Sequence, residues 1–220
     1  MMGLHRRMRH FIHLAIILCL SISAFAADTA LDAKALARKV DERYNAIRTL
    51  RMDFTEQLAT AGVQKRESGV LELKKPGRMR WDYKQPLPKL FVSDGKTAYF
   101  YVPGERQARK GPVKKLDDLQ SPLRYLLGKS RIADELEGLT LDENVLSGTP
   151  KHLKDRVEKV ELTVTPEGLI QRIVIEEIDG TRTEFAFSNI QENVTIADQQ
   201  FKFVPPPGIE MVETTQLQPQ

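Results

Sequence analysis

Two hydrophobic periods alternate along the chain. Over 29–48 the apolar residues Leu36, Val40, Tyr44 and Ile47 recur at helical spacing, with Asp28 or Thr29 as N-cap, and predict an amphipathic helix. The period then changes to two. Met52, Phe54 and Leu58 predict a first strand, Leu71 and Leu73 a second, and Met79, Trp81 and Tyr83 a third, each alternating with polar neighbours. Stretches 90–93 and 97–102 flank Asp94-Gly95, a hairpin turn signal.

The rhythm breaks at 105–115, a polar stretch carrying Arg106, Arg109, Lys110, Lys114 and Lys115, and the one candidate for a linker. Ser121-Pro122 then opens a short helix, serine as N-cap and proline in the first turn, which carries Leu123, Leu126 and Leu127 and ends at Gly128. Strands resume over 139–146, 157–165, 169–178 and 181–188, with turns at Pro166-Glu167-Gly168 and Asp179-Gly180. Residues 201–204 predict a last strand, stopped by Pro205-Pro206-Pro207-Gly208, and the tail after Glu213 is expected to fray. The sum is a mainly β (α+β) chain, an incomplete antiparallel β-barrel or strongly curved sheet with a leading helix and an inserted one, in a single domain over 27–220.

Residues 1–26 stand outside this pattern. Arg6, Arg7 and Arg9 precede the apolar run 11–20, and Ala24-Phe25-Ala26 follows as a small-x-small cleavage site. This reads as a secretory signal peptide, removed to leave a chain starting at Ala27. The run has about half the ~20 apolar residues a membrane-spanning helix needs. Cys19 lies inside it after Leu18, where lipid attachment would want a small residue.

Removal of the signal changes the chemistry available. Of 220 residues with 33 Lys+Arg, 30 Asp+Glu, four His and one Cys, the segment takes three arginines, the cysteine and His5, His10 and His13. What remains is neutral, has no thiol and keeps one histidine, His152, in the charged stretch 151–154 and expected on the surface. Thiol catalysis, cysteine-ligated zinc and multi-histidine metal sites are therefore excluded. No G-x-S-x-G elbow, phosphate loop or dinucleotide glycine pattern occurs. Glu176 and Glu177 are adjacent, and on a strand they point to opposite faces. No catalytic residue, metal or cofactor is predicted, and a hydrolase built from residues meeting only in space is the less favoured alternative.

Charge and aromatics are unevenly spread. Residues 27–115 hold 20 basic and 11 acidic side chains, and 116–220 hold 10 and 19. Either the two halves stay apart in the fold and orient charged partners, or they interleave and cancel. A neutral exported chain makes nucleic acid a poor partner. Trp81, Tyr83, Phe91, Tyr99, Phe100 and Tyr101 fall within 21 residues, with Tyr99 and Tyr101 on one strand face and Phe100 on the other. The plain reading is core filling. The sharper one is the wall of a hydrophobic cavity lined by Phe54, Leu71, Leu73, Met79, Trp81, Tyr83, Phe91, Tyr99 and Tyr101, where methionine suits re-packing around variable guests.

Five segments carry a family resemblance: Phe54-Thr55-Glu56-Gln57; Leu73-Lys74-Lys75-Pro76-Gly77-Arg78-Met79-Arg80-Trp81-Asp82-Tyr83 with Gln85-Pro86; Ser93-Asp94-Gly95-Lys96 leading to Tyr99-Phe100-Tyr101-Val102-Pro103; Gln107-Ala108; and Phe201-Lys202-Phe203-Val204-Pro205-Pro206. In order and spacing, over roughly 31–212, the chain resembles the outer-membrane lipoprotein carrier family, LolA. The resemblance implies lid helices across the mouth of the barrel, covering a hydrophobic cavity for acyl chains, and places Leu123, Leu126 and Leu127 on the lid. It implies a monomeric periplasmic carrier of Gram-negative bacteria. Its partners would be acylated lipoproteins, an inner-membrane ATP-driven release complex and a LolB-like outer-membrane receptor. Lys75 stands where the family often has an arginine that clamps the lid, and lysine lacks that residue's planar fork. A protein-interaction or stress-sensing module on a similar half-barrel, with no cavity, is the alternative from another class.

Overall fold

The period-two segments meet as neighbours in one sheet. In the computed structural model, which describes residues 32–112, 123–128, 131–215 and 217, twelve strands are present. They are β1 (Thr49–Thr60), β2 (Val63–Lys74), β3 (Arg78–Gln85), β4 (Lys89–Asp94), β5 (Thr97–Tyr101), β6 (Gln107–Pro112), β7 (Leu136–Asp142), β8 (Val145–Pro150), β9 (Val157–Val164), β10 (Ile170–Glu177), β11 (Arg182–Glu192) and β12 (Glu210–Glu213). Their order across the sheet is β12-β6-β5-β4-β3-β2-β1-β11-β10-β9-β8-β7. All pairings are antiparallel except that of β12 with β6. The sheet is not closed, since β12 and β7 remain its two edges. This is the open, curved barrel that the alternation predicts.

Helix α1 spans 32–46. Its buried stripe is Ala33, Ala37, Val40 and Tyr44, continued by Ile47, at the 3–4 residue spacing that keeps one face on a core. Leu36 packs at the margin of that stripe. Two one-turn helices, α2 (Leu123–Leu126) and α3 (Ile132–Glu135), lie between β6 and β7, and a 3-10 turn covers Asp198–Phe201. The signal segment 1–26, the caps Asp28 and Thr29, Ser121-Pro122 and the side chain of Leu123 lie outside the described residues.

Three expectations need correction. The run 139–146 is not one strand: it turns at Glu143-Asn144, with Glu143 at φ 52, and Leu141 pairs with Leu146 across the hairpin. Residues 201–204 form no ladder. Phe201 ends the 3-10 turn, and the true last strand, β12, lies further on. Within the basic stretch 105–115, residues 107–112 form β6. The tail beyond Glu213 does not simply fray. Thr214 donates to the Lys110 carbonyl at 2.8 Å, and Leu217 is buried where a side chain on Gly111 would meet it.

The sheet order also settles how charge is arranged. Strands β2 to β6 lie on one side of β1, and β11 to β7 on the other. Residues 49–112 carry 13 basic and 7 acidic side chains, whereas 131–192 carry 7 and 14. Within β1–β6 and β7–β11 the two excesses therefore lie on opposite sides, while later acidic residues cross over: Asp198 pairs with Lys74 and Arg78, and Glu213 of β12 with Lys110.

Candidate functional site

The concave face of the sheet is built from rows that the register dictates. One row runs Met52, Leu71, Trp81, Phe91, Phe100 across five strands. A parallel row holds Leu50, Leu73 and Met79, and a third places Phe54 and Tyr83 on either side of Gly69. A Cβ on Gly69 would sit 2.1 Å from the Asp82 carbonyl oxygen, so only glycine allows this approach of β2 to β3. Phe54 meets Trp81 at 4.7 Å and Tyr83 at 5.0 Å edge-on, and Phe185 from β11 meets Trp81 at 5.8 Å. Edge-to-face pairs of this kind are the favoured aromatic geometry.

Seven of the nine residues read as a cavity wall share this buried face: Phe54, Leu71, Leu73, Met79, Trp81, Tyr83 and Phe91. Tyr99 and Tyr101 do not. Because Phe91 pairs with Phe100, the inward residue of β5 is Phe100, and its two neighbours point outward. There they pack on Phe203 at 5.3 and 5.8 Å. The segment 201–204 thus serves as an outer cover for the tyrosines rather than as a strand.

Side chains from the helices complete the inner cluster. Ala33, Ala37, Val40 and Tyr44 of α1, Tyr125 and Leu126 of α2 and Ile132 of α3 belong to the same core as the concave rows, with Leu127 packed against it. Lys75, on the β2–β3 turn, donates through Nζ to the carbonyls of Tyr44 and Asn45. Carbonyls of a last helical turn lack intrahelical donors and favour a cation. Burial draws the Lys75 pKa downward. Gly128, which closes α2 at φ +65, abuts the same point: a Cβ there would lie 2.5 Å from the Tyr44 oxygen and 2.8 Å from Lys75 Nζ. Lys75, the end of α1 and the end of α2 therefore converge.

Two further sets of contacts hold α1. Asp41 accepts the Ile132 N–H at 3.0 Å, which ties α1 to α3. Burial pushes the Asp41 carboxyl up to about 6, against the pull of that N–H and with Glu135 and Asp134 adding to the rise. Toward the β9–β10 hairpin, the Ile170 N–H donates to Tyr44 Oη at 3.1 Å and Lys39 Nζ donates to the Pro166 carbonyl at 3.2 Å, and at the end of β11 Glu192 pairs with Arg43 at 2.7 Å.

The LolA model of outer membrane lipoprotein carrier proteins matches residues 45–204, which include every concave row just described. The chain belongs to the LolA family. The outer-membrane lipoprotein carrier protein of Nitrosospira multiformis is 30% identical over 173 residues, covering 75% of this chain and 82% of its own. That of Chromobacterium violaceum is 28% identical over 199 residues, covering 88% and 95%. Among solved structures, an uncharacterized conserved protein of Thermus thermophilus aligns with a TM-score of 0.53 at 13% identity, over 83% of this chain and 99% of that one, a likeness of fold alone.

In this LolA-family chain the concave face is not uniformly apolar. At the end away from Lys75, Tyr83 Oη donates to Glu56 at 3.1 Å. Lys89 Nζ donates to Glu67 at 2.6 Å and stands 4.2 Å over the Tyr83 ring. Glu56 and Glu67 are direct cross-strand neighbours. Burial raises the Glu56 pKa, partly offset by the Tyr83 hydroxyl and Lys89, while burial lowers that of Lys89 against the pull of Glu67. The aromatic pattern passes over these residues, although Glu56 stands two places from Phe54 on a strand and so shares its face. Phe100, Phe185 and Phe187 also join the face, and only the register assigns them to it.

Trp81 adds a second polar feature. It is 1% exposed, and among the described residues its Nε1–H has no hydrogen-bond partner. Leaving such a donor unpaired costs about 1–3 kcal/mol. On the outer face a polar groove of about 560 Å³ is lined by Arg51, Glu72, Arg80 and Asp82 among others. Arg51 pairs there with Glu72 at 2.5 Å and Arg80 with Asp82 at 3.4 Å. Among the described residues no group of three or more His, Cys, Asp or Glu could hold a metal ion.

Proposed function

We propose that this LolA-family protein is a periplasmic carrier that takes up the acyl chains of lipoproteins leaving the inner membrane and surrenders them to an outer-membrane receptor. The observation that carries the reading is a concave aromatic face packed against α1 and α2, with polar contacts at Lys75 and Asp41 fastening that cover. Each methylene moved from water into such a face is worth about 0.8 kcal/mol, so one long acyl chain offers on the order of 10 kcal/mol. Lifting Tyr125 and Leu126 off the face and breaking the Lys75 contacts uses part of that sum. The remainder sets an affinity low enough for hand-over.

Lys75 is the clamp of this cycle. Its ammonium holds the end of α1 against the β2–β3 turn while Gly128 brings α2 to the same point, and release of that junction frees both helices. The route supplies cargo from an ATP-driven release complex in the inner membrane and consumes it at a LolB-like receptor. The carrier works as a monomer and needs no nucleotide or catalytic group of its own.

The test is co-purification of the 27–220 protein from a periplasmic extract, with mass detection of acylated partners. Wild type should bring down acylated lipoproteins, and Leu126→Asp or Met79→Asp should lose them. Undiminished capture by both variants would remove the concave face from the binding site.

A further inference from the structure

We infer that the indole N–H of Trp81 donates a hydrogen bond to the acyl carbonyl of a bound lipid, so that the concave face selects ester- or amide-linked chains over plain hydrocarbon. The inference rests on the carrier reading above and names the group within that site that reads the cargo's head.

Indole can only donate, and Trp81 Nε1 is buried without an acceptor among the described residues. Its ring neighbours Phe54 and Phe185 and the cross-strand residues Leu71 and Phe91 carry no side-chain acceptor, and the hydroxyl of Tyr83, which donates its hydrogen to Glu56, makes no hydrogen bond with the indole N–H. Around it the concave face satisfies its other polar groups in pairs, Tyr83 with Glu56 and Lys89 with Glu67. Buried polar groups in native proteins are paired as a rule, and an exception calls for an explanation. For mere filling, phenylalanine would occupy the row between Leu71 and Phe91 with no donor to leave unmatched.

The position of the donor fits one chemical class of guest. An acyl chain is apolar along its length and carries one strong acceptor, the carbonyl where it joins its head group. Trp81 lies between the purely apolar row of Leu50, Leu73 and Met79 and the polar end made by Tyr83, Glu56 and Lys89. A carbonyl at Trp81 leaves the methylenes on the Met79 side and the hydroxyls or amide of the head on the Glu56 side. The donor thereby fixes the direction in which the chain lies.

Trp81 is the only tryptophan in the sequence, so its emission reports on this site directly. The probes are monopalmitoylglycerol and its ether counterpart hexadecylglycerol, which share chain length and head and differ in the carbonyl. Wild type should bind the ester about fivefold more tightly than the ether, with a different emission maximum in the two complexes. Trp81→Phe, or benzothienylalanine at position 81 with sulfur in place of N–H, each followed by titration calorimetry because neither keeps the indole, should reduce the ratio to below about twofold. Equal binding of ester and ether by the wild type would overturn the inference and leave the carrier reading intact. Binding of neither lipid would overturn both.

Discussion

The two flanks of the sheet bury rows of similar length but of different make-up. On the β7–β10 side the inward residues are Leu146, Val160, Leu162, Val164, Ile170, Ile173 and Ile175. On the β2–β5 side they are Leu71, Leu73, Met79, Trp81, Tyr83, Phe91 and Phe100, with Glu67 and Lys89 at one end. Branched aliphatic side chains are stiff about χ1 and interlock in one way. Methionine and aromatic rings re-pack more readily, and tyrosine and tryptophan add a polar handle. Helix α1 follows the same division: Lys39, Arg43 and Tyr44 bind it to the aliphatic flank and its edge, while Lys75 reaches its last turn from the aromatic one. On the carrier reading proposed above, one flank with α1 forms a frame, and the other is the face against which a guest would be exchanged.

The widest separation between the flanks should come from truncating one ring and one aliphatic residue. Ile173→Ala and Phe91→Ala should each lower stability in urea by about 3 kcal/mol. Ile173→Ala should leave affinity for an acylated peptide within about twofold, while Phe91→Ala should weaken it more than tenfold, about the 1.4 kcal/mol that a decade requires. Equal losses of affinity would abolish the distinction. Next in size is Gly128→Ala. A left-handed backbone and overlap with the Tyr44 carbonyl should together cost about 2 kcal/mol, read as a lower urea midpoint and greater binding of a hydrophobic dye.

A smaller effect is expected at the clamp. Lys75→Leu should favour the lifted cover by about 1–2 kcal/mol, seen as increased dye binding and faster proteolysis near 123–135, with Lys75→Arg retaining most of the closure. Unchanged cargo release in Lys75→Leu would take the lysine out of the cycle.

The smallest concerns Asp41 on the frame side. Its carboxyl titrates near 6 in the folded protein and at a lower pH when unfolded, so the folded state holds the extra proton between about pH 4 and 6. That contribution is complete below the unfolded value and fades as pH rises through 6. Asp41→Asn should therefore flatten the stability profile over this window and stabilise at pH 7 by less than about 1 kcal/mol, since the half-buried group is screened. A steeper profile in the variant would refute the assignment.

Alternation alone makes most of the concave face legible in the sequence. Phe54, Leu73, Met79 and Trp81 each alternate with polar neighbours, and a strand has only two faces. Which face a residue takes in the barrel is decided by pairing, and there the alternation is silent. Tyr99 and Tyr101 stand two apart as Trp81 and Tyr83 do, but their neighbours Ala98, Phe100 and Val102 are apolar, so either face could turn inward, and only the pairing of Phe91 with Phe100 turns the tyrosines outward. The Glu143-Asn144 turn is hidden because leucines continue on both sides of it and no glycine marks it. The junction of Lys75 with Tyr44 and Gly128 joins residues 31 and 53 positions away, a distance that no local pattern encodes. The family motif points to Lys75, and the fold supplies its partners.

Helices α2 and α3 sit within the chain connection from β6, next to one edge of the sheet, to β7, which forms the other. Both ends of this strap are sewn to the barrel by covalent chain, so in the proposed cycle its lifting could never become departure. Its return is a unimolecular search within a fixed radius, governed by tether length rather than by how much protein the compartment contains. On that proposal, a worker that must hide grease again after every delivery would reset at the same pace when scarce as when abundant.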